Sequence, residues 1–303
     1  MRLTLAALTV ALSTSTALAQ SRDSLTAAYS AADCRSCAEW NAPTKPVRLH
    51  GNAWYVGTRG LASVLITSPA GHVLLDAGLP ESAPLIIENI RAAGFRVEDV
   101  KLVVPSHAHF DHVGGVAAIV RASGAGVAAG PSAAAVLRLG EPGRDDPQYG
   151  IHLRFPAVAN VREIRDGDTL RVGPIALVAR FTPGHTPGST SWTWRSCDES
   201  GRCLDFVYAD SQTPVSADGF LYTRSSAWPT AIADFERGHR VLERLACDVL
   251  VTPHPDASAL WRRIEARDSG AADALIDPEG CRRYAAQARQ RLARRVAEER
   301  QRP

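Results

Sequence analysis

The chain has 303 residues, 45% of them hydrophobic and 22% charged, which is enough apolar material for a sizeable core. Its formal net charge of +2 is too small, and too evenly spread through the middle of the chain, to mark nucleic acid as a partner. After the N-terminal stretch, no segment approaches the roughly twenty apolar residues that a membrane helix needs.

Residues 1–19, "MRLTLAALTVALSTSTALA", open with one arginine, pass through a short apolar run and end in Ala17-Leu18-Ala19. This is the pattern of a cleavable secretory signal peptide, cut before Gln20. The reading predicts a periplasmic mature chain of residues 20–303 with no membrane attachment after cleavage. In an oxidising compartment the even count of six cysteines, Cys34, Cys37, Cys197, Cys203, Cys247 and Cys281, makes three disulfides the expectation. Cys34 and Cys37, as "CRSC", suit a redox pair, a metal clip or a small disulfide loop. The absence of a surrounding βαβ pattern argues against a thioredoxin site.

From Ala53 the chain reads as strands, "AWYVG", "ASVLITS" and "HVLLDAG", and then as a helix over "SAPLIIENIRAAGF". "VKLVVPS" is a near-continuous apolar run, as a buried strand should be. "GGVAAIVRASG" follows as a helix and "AGVAAG" as a short strand. Residues 139–155 are rich in Gly, Pro and Asp without periodicity, and read as a long loop or lid. Strands resume with "DTLRV", "IALVARFT", "STSWTWR", "LDFVYADS" and "CDVLVTP". The turn between "WTWRSC" and "CLDFVYAD" brings Cys197 opposite Cys203 and leaves Cys247 and Cys281 for each other. Helices are expected near residues 230–246 and over the basic tail. In that tail Tyr284, Ala285, Ala288, Leu292 and Val296 form an inward stripe beneath arginines. Two packed sheets with helices on the outer faces, in halves of about 20–180 and 181–303 within one domain, account for this order.

The densest chemistry is "SHAHFDH", at the end of the buried strand before "VGG", where open sheets with helices usually place ligands. His107 and His109 alternate on an extended segment; Asp111 and His112 follow a bend. His185, in "TPGHTPGS", and His254, in "TPHP", also directly follow strands. So many titratable groups together would cost stability unless a cation unites them. Imidazoles with one carboxylate and no thiolate suit zinc best. His50, His72, His152 and His239 read as ordinary surface or core residues, with the loop of His152 left as a candidate border of the site.

Together "SHAHFDHVGG", "PGHTPGS" and "TPHP" resemble the metallo-β-lactamase superfamily, and most closely the third subclass of true metallo-β-lactamases. The resemblance implies an αββα sandwich, an α/β fold with two mixed sheets and a groove at one edge holding two zinc ions. His107, His109 and His185 would hold the first, and Asp111, His112 and His254 the second. Asp111 would also orient a hydroxide generated between the ions, making it the catalytic carboxylate. Asp76, at the end of "VLLDAG", is expected to hold the other ring nitrogen of a ligand histidine. "YADSQTP" and a Cys247–Cys281 bridge fit the same subclass. In thioester hydrolases of this fold an aspartate in the former segment bridges both metals, whereas the third subclass has a serine there. Strand alternation allows only one of the neighbours Asp210 and Ser211 to face the metals. The resemblance implies Ser211, with Thr213 on the same face and both offering hydroxyls to the substrate carboxylate, and Asp210 turned away onto the backbone of a neighbouring loop.

The implied activity is that of a monomeric, secreted β-lactamase acting on penicillins, cephalosporins and carbapenems, and so conferring antibiotic resistance. A glyoxalase-type thioester hydrolase or a lactonase is the alternative on the same scaffold. A non-catalytic zinc-binding protein would need every metal position filled by protein, which six donors across two ions do not supply.

Overall fold

The structure is a computed structural model that describes residues 24–302; the expected signal peptide lies outside the described residues. A first sheet contains β1 (Val47–His50), β2 (Ala53–Tyr55), β3 (Val64–Ile66), β4 (His72–Leu75), β5 (Val100–Val104), β6 (Gly126–Ala129) and β7 (Val161–Glu163), in that spatial order. It is antiparallel from β1 to β4 and parallel from β4 to β7. The second sheet contains β8 (Thr169–Val172), β9 (Ile175–Phe181), β10 (Thr190–Cys197), β11 (Cys203–Tyr208) and β12 (Val249–Val251), ordered β12-β11-β10-β9-β8. Only its β11–β12 pair is parallel. The helices are α1 (Cys37–Trp40), α2 (Ser82–Ala92), α3 (Phe110–Val113), α4 (Val116–Ser123), α5 (Pro131–Leu139), α6 (Ala231–Arg244), α7 (Leu260–Asp268) and α8 (Gly280–Arg300).

Side-chain alternation sorts the apolar residues into layers. On β3 and β4, Val64, Ile66, Val73 and Leu75 join the core between the sheets with Leu177, Trp192, Phe206 and Tyr208. Leu65 and Leu74 point the other way, into a second core with Ile86 and Ile90 of α2, Ile119 of α4 and Leu137 of α5. Both faces are therefore buried, which is why these strands read as unbroken apolar runs. On the far side Val207 and Leu250 meet Leu242 of α6 and Tyr284 and Ala285 of α8. The result is the expected αββα arrangement, and the tail helix buries the stripe read from its sequence. Helix α5, bounded by Pro131 at its start and a left-handed Gly140 at its end, was not read from the sequence, nor were β1 and α7.

All six cysteines are paired, Cys34 with Cys37, Cys197 with Cys203, and Cys247 with Cys281. Cys197 and Cys203 are register partners across the β10–β11 hairpin. The last bridge ties the approach to β12 to the first turn of α8, across 34 residues of sequence.

His239 of α6 is fully buried, and neither ring nitrogen has a hydrogen-bond partner among the described residues. Burial, with Arg289 nearby, lowers its pKa from 6.5 to about 4. The unfolded chain then binds the extra proton between pH 6.5 and 4, so the stability that depends on neutral His239 is complete above this window and is lost as pH falls through it. His239→Leu should therefore gain stability relative to the parent as pH drops from 7 to 4, measured by denaturant unfolding at each pH. A constant difference across that range would contradict this account.

Candidate metal centre

The site lies at one end of the two sheets, where the loops after β4, β5, β9, β11 and β12 converge. Its foundation is Asp76, which follows β4 with a left-handed φ of 55° and is wholly buried. A non-glycine residue holds that conformation only when its surroundings demand it. Here its carboxylate accepts from the backbone N–H and hydroxyl of Ser106, at 2.6 and 2.7 Å, and from the Tyr208 hydroxyl at 2.8 Å. One side chain thus joins the ends of β4 and β5 to β11. Burial raises its pKa to about 6.

From Ser106 the chain bends through His107, is extended at His109 and then makes the single turn of α3, which swings Asp111 and His112 over the same spot. Two glycines follow because the turn is pressed against the β4 loop. A Cβ on Gly114 would come within 2.4 Å of Pro80 Cδ, and one on Gly115 within 2.3 Å of the Ala77 carbonyl. His185 arrives on the loop after β9 and His254 on the loop after β12. The ring centroids of His107 lie 4.6, 4.3 and 4.8 Å from those of His109, His112 and His185, and His112 lies 4.9 Å from His254.

Three of these rings are held from outside. Nδ1 of His107 is 2.7 Å from Asp210 Oδ1, Nε2 of His109 is 2.9 Å from Asp146 Oδ2, and Nδ1 of His185 is 2.8 Å from the Thr213 carbonyl. Each therefore turns its other nitrogen inward. Nε2 of His107 is buried with no hydrogen-bond partner among the described residues. Donor atoms of His107, His109 and His185 lie within 4.8 Å of one another, as do those of His107, Asp111 and His112. Asp111 Oδ2 is 3.2 Å from His112 Nε2 and 3.3 Å from His254 Nε2. All six residues expected to bind metal are thus brought together.

Burial drives His107, His109 and His185 below the usual imidazole range, helped by His112 beside His107 and by His152 beside His109. Burial alone would raise Asp111, but the imidazoles of His112 and His254 outweigh it and hold the carboxyl well below its usual range. Burial likewise pulls His112 down, and Asp111 reverses this to bring it to about 9. His107, His109 and His185 are thus held neutral and Asp111 ionised, the protonation states in which a dication is bound, whereas His112 carries a proton that an incoming dication would displace. With every cysteine committed to a disulfide, the free donors are nitrogen and oxygen, a set that fits zinc.

Two expectations from the sequence need correction. Asp210 does not turn away onto a loop backbone; it faces the centre and grips His107. The reason is parity: Phe206 and Tyr208 point into the core between the sheets, and two residues further on Asp210 takes the same side, although β11 itself ends at Tyr208. Asp76 approaches His112 Nδ1 only to 3.7 Å, so it does not hold that ring by a direct hydrogen bond. Ser211 and Thr213 are half-buried beside the centre, the latter with its carbonyl on His185. Asp146, Gln148 and His152, all on the loop of residues 139–155, were not assigned to the site from sequence. Gln148 Nε2 stands 3.5 Å from His185 Nε2.

The profile of the metallo-β-lactamase superfamily matches residues 56–198. Among solved structures, Rm3 metallo-β-lactamase aligns with a TM-score of 0.87 at 55% identity, over 88% of this chain and 99% of its own. MEM-A1, a subclass B3 metallo-β-lactamase isolated from a soil metagenome library, aligns with a TM-score of 0.84 at 46% identity, over 86% and 98%. The hydroxyacylglutathione hydrolase of Bradyrhizobium sp. (strain ORS 278) is 29% identical over 131 residues, 43% of this chain and 42% of that protein. The chain therefore spans less than half the length of that curated relative. The chain belongs to the metallo-β-lactamase superfamily, and the fold and site together make it an enzyme of that superfamily with a metal centre.

If Asp210 and Asp146 set the aim of their histidines, Asp210→Asn and Asp146→Asn should each weaken metal retention by about 10–100-fold. Competition with a chromophoric chelator measures this, with circular dichroism reporting the fold. Retention equal to the parent in both variants would show that the rings are aimed by other contacts.

Proposed function

We propose that the protein is a dizinc β-lactamase, exported to the periplasm, that opens the four-membered ring of penicillins, cephalosporins and carbapenems and so confers resistance to them. The observation that carries this reading is the donor set itself: three braced imidazoles beside the Asp111–His112–His254 group. It stands in a chain that aligns over 99% of a metallo-β-lactamase at 55% identity. In this reading His107, His109 and His185 hold one zinc ion, and Asp111, His112 and His254 the other. When bound, such a pair polarises a carbonyl and lowers the pKa of water towards 7.

The remaining steps belong to the chain. Asp111 orients the attacking water and is kept ionised by the two imidazoles beside it. Ser211 and Thr213 offer hydroxyl donors to the carboxylate that β-lactams carry beside the ring. Tyr149 and Ile151 on the loop of residues 139–155, and Val215 on the facing loop, are large apolar side chains left exposed. They would border the mouth and meet the substrate's variable groups. We read the mature chain as a monomeric single domain.

The alternative, thioester hydrolysis, calls for an aspartate of the "YADS" segment between the two metals. Asp210 is instead engaged on the outer nitrogen of His107, which favours the β-lactam reading.

The metal-loaded protein should hydrolyse a penicillin, a cephalosporin and a carbapenem, lose this on chelation and regain it with zinc. His107→Ala and His254→Ala should lower turnover at least about a hundredfold, beyond the scale on which supporting groups act. Replacing Ser211 and Thr213 together by alanine should raise KM more than it lowers kcat, because it removes binding shared by ground and transition states. Turnover of a thioester or a lactone with no ring opening of any β-lactam would contradict the proposal.

A further inference from the structure

The loop between α5 and β7 places His152 against the centre, although its spacing marks it as an ordinary residue. Its ring lies 3.8 Å from that of His109, tilted by 39°, and 4.9 Å from that of Phe110. A ring nitrogen of His152, a ring nitrogen of His109 and a carboxylate oxygen of Asp111 lie within 4.8 Å of one another. Nδ1 of His152 is shut off from solvent and has no hydrogen-bond partner among the described residues. A buried nitrogen without a partner costs free energy, and none of the described residues offsets that cost here. His109 and Asp111 are buried, whereas His152 is half-buried and is the member of this trio nearest to solvent.

We infer that His152, with His109 and Asp111, forms a third cation position that captures an incoming divalent ion before it passes to the inner donors. This rests on the reading of the inner residues as a metal pair. The outer position is not filled together with both inner ones. Nε2 of His109 is taken by Asp146, and Asp111 already faces His112 and His254. The trio therefore works in alternation with the inner sets, as a loading station and not as a third resident ion. Two imidazole nitrogens and one carboxylate oxygen suit zinc and cobalt alike.

The experiment is stopped-flow uptake of Co2+ by the metal-free protein, followed by its ligand-field absorbance. His152→Phe keeps a ring against His109 and Phe110 but removes the donor nitrogens, and His152→Asp supplies a donor of another kind. His152→Phe should load about tenfold more slowly than the parent, the scale on which residues supporting metal sites act. Its final spectrum should match the parent's, because the inner donors are intact, and His152→Asp should recover most of the rate. Loading of His152→Phe at the parental rate overturns the inference. So does an aspartate variant as slow as the phenylalanine one, since His152 would then act through packing. If the parent itself develops no ligand-field bands, the inner metal pair is wrong and both readings fall, an outcome distinct from equal rates.

Discussion

The constraint on which the rest of this molecule depends is the burial of imidazoles and carboxylates in one small volume. His107, His109, His112, His185, Asp76, Asp111 and Asp210 are all buried. Taking such groups out of water costs several kcal/mol each unless partners compensate. The partners present account for the outer nitrogens of His107, His109 and His185. They leave inward lone pairs facing one another, an arrangement that a cation satisfies and protein atoms alone do not. The centre is thus a local conflict in an otherwise consistent sequence, the kind of departure expected at a functional site.

The scaffold meets this constraint by making the surroundings rigid. Asp76, held in a left-handed conformation, fixes Ser106 immediately before His107 and reaches Tyr208 across the sandwich. Tyr208 and Asp210 lie on one face of the same segment, so the position of β11 sets both the tie to Asp76 and the brace on His107. Tyr284 of α8 donates to the carbonyl of Asp210 at 3.0 Å, and the Cys247–Cys281 bridge anchors the start of α8 beside β12. Chain segments far apart in sequence therefore converge on a single imidazole. At the other edge Trp40, in the helix that begins at Cys37, packs 5.2 Å from the ring of His254. The N-terminal disulfide thereby supports the more exposed side of the centre.

Much of this was legible because it is local. His107, His109, Asp111 and His112 sit within six residues, and His185 and His254 each follow an apolar strand. Asp210 was legible in principle. Counting from Phe206 and Tyr208, whose core-facing side is implied by their size, puts it on the inner face, whereas the family resemblance over "YADS" gives that face to Ser211. Helix α5 carries its Pro and Gly boundary marks, but its buried face is two alanines and Leu137 while Leu139 is exposed, so "PSAAAVLRL" shows only a weak helical apolar period. Asp146, Gln148 and His152 could not be read in this way. They lie in a loop without periodicity, and only the tertiary path of residues 139–155 brings Asp146 to a histidine 37 residues earlier.

The most direct measurement is anomalous diffraction at the zinc edge from crystals of the protein grown with zinc. The account requires two peaks in the groove. One should be surrounded by His107 Nε2, the inward nitrogens of His109 and His185, and no thiolate; the other by Asp111, His112 and His254. A map with no anomalous peak among these residues, or with zinc bound only elsewhere on the surface, would contradict it.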